Sequence, residues 1–529
     1  MKNLRTQWVR AVSLLILPFL LIAVERASAQ HAHADSLLAR AKREFKEAEA
    51  WTNESTPDAA SDSILARYGA AETLLKQTLA LEPANAEAHY FLGYTYDRIF
   101  TRRAGGSDGI TTASLEQART VTGEMRKALA ADSHYRGEIA VLGPYDKITA
   151  AWGALALRYA KQGLADSARW AFAEGRRESG FPDAALELCR NILGSCPPDA
   201  IVLLNGDNDT FPLLYLQCVE GLRKDVTPVN LSLANAAWYV KMLKHGSTLG
   251  SAALRLGYGD AQLDTIQWRQ VNDSLLPMQV PIAQAAAKRA GITDRDVLRH
   301  GRAMFILRTQ QFGNYHMLSM ADQVLIDLLR TNGWERPVCI STSVESGASL
   351  GLRAYSRWAG LVNLLVPTRQ PAQPDDTQPI NYSVMRALLM PGSAAGIPAP
   401  AWTRRLGFSA IRDTAIPCDS REQVVLTYLL LYDRLARFEL TERDDRAQAA
   451  ATLAEMERAL PMATMMQSLP VVAELARMYV AVGNGARAEE YARAVVGMID
   501  SIGSEQLAAA YPGLEISGLR TEMLHILHR

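Results

Sequence analysis

Ala200-Ile201-Val202-Leu203-Leu204-Asn205-Gly206-Asp207-Asn208-Asp209-Thr210-Phe211-Pro212 is the stretch on which the reading of this chain turns. Its apolar half reads as a buried strand. Gly206 breaks the run, two acids and an amide follow on one tight turn, and Pro212 is placed to open a helix. Open α/β sheets hold ligands on such turns, at the carboxyl ends of their strands. Working outward, Pro212–Lys224 reads as a helix, Val226–Leu231 as a second strand and Ala234–Lys244 as a second helix. That order and spacing predict a parallel pair joined by a right-handed crossover. A later unit has the same character: a helix over Met320–Thr331, the turn Asn332-Gly333-Trp334-Glu335-Arg336-Pro337 and a strand over Val338–Ser341. A helix near Leu350–Leu361 and the apolar run Leu364-Leu365-Val366-Pro367 follow it.

The surrounding chain is long enough, at 529 residues, for several domains. Its 48% hydrophobic and 21% charged residues describe a core-forming protein. A net charge of zero offers nothing to draw it to nucleic acid or to an anionic membrane surface. Lys2, Arg5 and Arg10, the apolar segment Ala11–Val24 and Ala27-Ser28-Ala29 before Gln30 have the form of a secretory signal peptide cleaved after Ala29. Retention as an anchor is the alternative. No later stretch is long and apolar enough to span a bilayer, so the expectation is an exported periplasmic or envelope protein with no membrane span after cleavage. Cys189, Cys196, Cys218, Cys339 and Cys418 lack metal-type spacing. They read as buried free thiols, although Cys189 and Cys196 are close enough in sequence to bridge.

Both flanks read as helical repeats. Leu92, Gly93 and Tyr96, preceded by Ala71, Leu75 and Pro83, fall at tetratricopeptide spacing. So do Trp152, Leu155, Ala156, Tyr159, Gly163, Ala168 and Phe172, and again Leu475, Ala476, Tyr479, Gly483, Ala488 and Ala492. Small residues let two antiparallel helices approach and large ones fill the groove to the next pair. The expected fold is mainly α with a central α/β segment, tetratricopeptide-like hairpins flanking a small Rossmann-like parallel sheet. The expected divisions are a signal peptide over 1–29, a helical domain over 30–195 and an α/β domain over 196–370, then a linker or long loop over 371–420 and a helical repeat region over 421–529.

Three segments resemble a known family: Asn205-Gly206-Asp207-Asn208-Asp209-Thr210-Phe211-Pro212, Asp225-Val226-Thr227-Pro228-Val229-Asn230-Leu231-Ser232-Leu233 and Thr331-Asn332-Gly333-Trp334-Glu335-Arg336-Pro337. Similar segments occur in order in the soluble C-terminal part of a family of bacterial multi-pass membrane proteins related to protein O-mannosyltransferases. Leu350-Gly351-Leu352 through Leu365-Val366-Pro367 is similar too, and the resemblance spans roughly residues 195–370. That family carries a membrane-embedded glycosyltransferase half before this region, whereas here a signal peptide and helical repeats stand in its place. The resemblance therefore implies the soluble appendage and a place near envelope glycans, without the transferase chemistry.

The candidate ligand-binding residues are Asp207, Asn208, Asp209, Thr210, Asn230 and Ser232. Asp207 and Asp209 could bind a divalent cation through oxygen, with Asn208, Thr210 or backbone carbonyls completing the set. They could also meet sugar hydroxyls, or Asp209 or Thr210 could simply cap the following helix. Asn230 and Ser232 end the second strand on the same edge. Asn332, Trp334 and Arg336 belong at the opposite edge, as a helix cap, a packing group and an ion pair. His31, His33, His89, His300 and His316 do not converge, and no nucleophile or nucleotide motif is present. No catalytic residue is assigned. The expectation is an interaction or scaffold protein with no cofactor, a protein partner on its repeats and a glycan or other polar ligand. A glycan-active enzyme or glycosyltransferase subunit using the Asp207-Asn208-Asp209 loop is the alternative.

Overall fold

The computed structural model describes residues 28–528 apart from 53–58, 106–108, 247–248, 372–378, 393–397, 399, 467 and 512. Residues 1–27 of the expected signal peptide lie outside it. The chain divides into two compact units. The first comprises residues up to Gln162 together with Asp166–Phe181; the second comprises Gly163–Ala165 and Pro182–Arg529.

The first unit is helical: α1 (28–52), α2 (Ala59–Leu81), α3 (Ala86–Arg103), α4 (Leu115–Ala131), α5 (Pro144–Lys161) and α6 (Ala165–Arg177). Successive helices pack on one another, α3 on α2 and α4, and α4 on α5. Short polar caps set their starts, since Asn85 and Ser114 accept backbone N–H bonds at the heads of α3 and α4. Trp152 fills the interior and donates its Nε1–H to Thr122 Oγ1 at 2.9 Å. Gly175 lies so close that an added Cβ would sit 2.6 Å from Trp152 Cβ. Small residues thus set the helix spacing around a large one. Inside the same unit the buried Asp97 carboxylate accepts from Lys147 at 2.6 Å and from Gln117 at 3.0 Å.

The second unit holds every strand among the described residues. They are β1 (Ile201–Leu204), β2 (Thr227–Asn230), β3 (Arg269–Val271), β4 (Leu275–Pro281), β5 (Arg302–Arg308), β6 (Gln310–Phe312), β7 (Tyr315–Leu318), β8 (Val338–Ser341), β9 (Ser356–Ala359) and β10 (Val362–Leu365). The main sheet runs β2-β1-β8-β10-β9. β1 is parallel to both β2 and β8, as the spacing predicts. β10 is antiparallel to β8 and β9, so the sheet is mixed and the all-parallel expectation is corrected. The cause is local. Leu350 and Gly351 are both left-handed (φ 51 and 74), which no helix can continue, so the helix expected near Leu350–Leu361 does not form. Two short 3₁₀ turns lead into β9, and Gly360 at φ 66 turns the chain tightly back into β10, which forces antiparallel pairing.

Antiparallel pairs β4-β5 and β3-β7-β6 occupy the stretch between, which the sequence reading left without strands. β5 alternates exposed and buried along its length. Its Ala303, Phe305 and Leu307 join Met278 and Val280 of β4, Ile201, Leu203 and Ile340 of the sheet, and Leu325 and Leu328 of the helix Met320–Asn332 in one core. Strand alternation leaves Val202 and Leu204 on the other face. Here α7 (Asp183–Ser195) packs on α8 (Asp207–Cys218), and α8 on β2.

Residues 371–420 contain more than loop. The helix Tyr382–Leu389 buries Val384, Met385, Leu388 and Leu389, and Arg386 of that helix meets Glu439 at 2.6 Å. The remainder is helical from Arg421–Thr441 to Ile516–Leu527. The five cysteines form no disulfide with one another, and four of them are buried. No helix among the described residues is long and apolar enough to cross a membrane.

Candidate functional site at the ends of the parallel strands

The three parallel strands deliver their carboxyl ends to one edge. β1 sits between β2, the next strand in sequence, and β8, which arrives much later. The chain therefore leaves β1 toward one side and returns on the other, which makes this edge a topological switch point. Asn205–Thr210, Asn230–Ser232 and Ser341–Ser343 meet there.

Gly206 makes the turn possible. Its φ of 113 and ψ of 171 belong to a region that only glycine occupies freely. α8 begins directly after it, at Asp207. The helix thus starts earlier than Pro212 suggests, and neither Asp209 nor Thr210 is its cap: Gly206 holds that position, and Pro212 lies inside the helix. Carboxylates in the first turn match the positive end of the helix dipole, which explains why the acid-rich segment winds into helix.

The early start separates the two acids. Residues two apart on a helix point to nearly opposite sides. Asp207 is exposed, whereas Asp209 is 4% exposed. Ser343 donates its hydroxyl to Asp209 Oδ2, the Asn205 N–H reaches the same oxygen at 3.4 Å, and Thr210 Oγ1 lies 3.2 Å from Oδ1. Burial pushes the Asp209 carboxyl above its usual value, while these donors pull the other way. Cys189 of α7 donates its thiol to the Asp209 carbonyl at 3.3 Å, and burial together with Asp209 raises that thiol.

Asn230 ties the next strand to this turn. Its Nδ2 donates to Thr210 Oγ1 at 2.8 Å and to the Gly206 carbonyl at 3.4 Å, while its Oδ1 accepts the Leu233 N–H at 2.9 Å. Ser232 donates to Asn205 Oδ1 at 2.7 Å. The structure therefore brings together Asp209, Thr210, Asn230 and Ser232, with Asp207 and Asn208 on the outer side of the same turn. Among the described residues no three His, Cys, Asp or Glu side chains cluster to hold a metal ion.

Asn205, Ser341 and Ser343 were missed in the sequence reading. Ser341 and Ser343 share a 2.8 Å hydroxyl contact, which places Ser343 against Asp209. The hydroxyl run Ser341-Thr342-Ser343, at the end of the third strand, is the signal that the same edge rule would have picked out.

Arg336 lies at the opposite end, as expected, but its partners are different. In place of an ion pair it holds the carbonyls of Asp199 (2.7 Å), Ala200 (3.2 Å) and Asp225 (3.3 Å) and the Thr227 hydroxyl (2.7 Å). A guanidinium fork suits carbonyls fanned across two strand starts. Gly333 closes the preceding helix in a left-handed conformation, and Trp334 stacks on Phe305 at 5.8 Å.

Residues 185–294 and 275–384 match the family described as TMEM260-associated domain 2. Those ranges take in every strand and the whole polar cluster. No solved structure matches the chain. A 60-residue stretch is 45% identical to Protein O-mannosyl-transferase TMEM260 of Mus musculus, covering 11% of this chain and 8% of the mouse protein. The chain is thus related to the TMEM260 family through its α/β region, and shares only a small part of the mouse protein's length.

Proposed function

We propose that this chain is an exported accessory protein of glycan or glycoprotein handling in a bacterial envelope. Its helical hairpins act as tetratricopeptide-like repeats that engage a protein segment. The edge formed by Asn205–Thr210, Asn230–Ser232 and Ser341–Ser343, at the reversal of a partly Rossmann-like sheet, takes a polar ligand such as sugar hydroxyls. The observation that carries this reading is the family match over residues 185–384, which coincides with the polar edge. Asp209 acts as a positioning group, because its oxygens are engaged by Ser343, Thr210 and the Asn205 N–H.

The raised, buried Asp209 carboxyl at a strand edge favours a second reading, a glycan-active enzyme, since perturbed carboxyls concentrate at reactive sites. Anisotropy titrations with an O-mannosylated peptide and its bare counterpart separate the outcomes. The accessory reading expects at least about tenfold tighter binding of the glycopeptide, reduced in Ser232→Ala. Equal affinities overturn it. Sugar release or transfer by the native chain, abolished in Asp209→Asn, would establish the enzyme instead.

A further inference from the structure

A second feature of the α/β unit lies beside the end of β8. A cavity of about 1310 Å³ is lined by Arg308, Arg353, Arg369 and Arg434, with Trp358 and Thr342 between them. No carboxylate lines it among the described residues. Arg308 and Arg369 are exposed, and no ion pair joins either to a described carboxylate. The Arg434 guanidinium lies 5.8 Å from the Trp358 ring centroid. Bringing the Arg308 and Arg369 charges to one space without a described carboxylate is unfavourable unless an anion offsets them.

One polar atom at the cavity wall points the same way. Trp358 Nε1 is buried and has no hydrogen-bond partner among the described residues. A buried donor left unmade at the wall calls for a group that the chain itself does not supply.

We propose that this cavity binds a small organic phosphate, with the phosphoryl oxygens held by the arginine forks and the organic part lying on Trp358. Guanidinium groups pair with phosphate through two parallel N–H bonds, and the two exposed ones, Arg308 and Arg369, suit a dianion better than a single carboxylate. The indole gives a flat apolar surface with one donor at its rim, a surface fitted to a ring-bearing ligand. Thr342 lies between Ser341 and Ser343, so the end of β8 and the turn after it supply hydroxyls to the Asp209 cluster and one residue to this cavity. The inference stands apart from the glycan reading, because it concerns other side chains and a charged ligand.

Isothermal titration calorimetry of the full chain at fixed, low salt tests it, with inorganic phosphate, a hexose 1-phosphate and the neutral hexose as probes. Both phosphates should bind, the hexose 1-phosphate more tightly, and the neutral hexose should give no heat. Arg308→Ala combined with Arg369→Ala, two exposed positions, should weaken both phosphates by about tenfold or more while thermal melts stay unchanged. Trp358→Leu should remove the advantage of the hexose 1-phosphate over inorganic phosphate. Ser232→Ala, at the other edge, should leave phosphate binding intact, which keeps failure here separate from failure of the glycopeptide test. Absence of phosphate binding by the native chain overturns the proposal, as does binding unaffected by the double substitution. Equal affinity for the two phosphates overturns the role given to Trp358.

Discussion

Asp209 holds a carboxylate in a place where water would ordinarily be needed to solvate it, and three neighbours do that work: Ser343, Thr210 and the Asn205 N–H. Burial still dominates and raises its folded-state value above 3.8. A carboxyl raised on folding contributes stability that is complete below the unfolded value and is lost as pH rises through the folded one. Asn does not titrate and can still accept the Ser343 hydroxyl. The melting temperature of Asp209→Asn relative to the native chain should therefore climb as pH rises from about 3 and level off above the raised value. Circular dichroism melts across that range check it; a difference that falls with pH would mean the donors outweigh burial. Arg336 gives the complementary case at the other edge. Replacing it by Ala removes a charged donor from the carbonyls of Asp199, Ala200 and Asp225 and from the Thr227 hydroxyl, and urea unfolding should show a loss of about 1–2 kcal/mol. The location of Asp209 was legible, because an acidic turn after a buried strand has few other meanings. That Asp207 faces out and Asp209 faces in was not legible. It depends on the helix starting at Gly206, and the Pro212 signal pointed to a later start.

Gly206 shows how one backbone geometry sets a whole element. At φ 113 and ψ 171 it turns β1 into α8, and any side chain there is strained. Gly206→Ala should cost about 1–3 kcal/mol in denaturant unfolding and loosen the Asn230 contact to the Gly206 carbonyl. The helix Tyr382–Leu389 is pinned in a different way. Glu439 is fully buried and accepts from Arg386 at 2.6 Å, Thr452 at 2.6 Å and Tyr382 at 3.1 Å. Glu439→Ala would leave the Arg386 guanidinium without its carboxylate, so a loss of about 3–5 kcal/mol is expected, with Glu439→Gln milder. Thermal and urea melts of the pair test this, and equal losses would assign the effect to packing. The helix escaped the sequence reading because Pro- and Gln-rich segments on both sides dominated the composition of 371–420. Val384, Met385, Leu388 and Leu389 nevertheless carry a helical stripe that a shorter window shows. The β9-β10 hairpin was missed for the converse reason. Its residues are apolar enough for a buried helix, and only the left-handed Leu350 and Gly351 exclude one. The strands β1, β2 and β8 were legible because each is a short, fully buried run bounded by turn residues.

At the scale of the molecule, the chain has two units, and each has its own interior. The first is helical, with Trp152 and Phe172 fully buried in it. The second encloses the mixed sheet, whose core runs from Ile201 through Phe305 to Ile340. Units with separate cores lose their structure as separate cooperative events unless a large apolar surface joins them. Substitutions confined to one core can therefore report on how far the two are coupled. Trp152→Ala removes the largest buried side chain of the first unit and the hydrogen bond to Thr122, and should cost that unit about 3–5 kcal/mol. Phe305→Ala removes a ring that touches both Trp334 and Tyr355 in the second, and should cost it a similar amount. Differential scanning calorimetry of the full chain should then resolve two transitions, with Trp152→Ala lowering only one and Phe305→Ala only the other. Phosphate, if held by the arginine-lined cavity, should raise the transition that Phe305→Ala lowers and leave its companion in place, because a ligand stabilises only the unit that binds it. A single transition moved equally by both substitutions would show that the helical unit and the unit holding the sheet unfold as one.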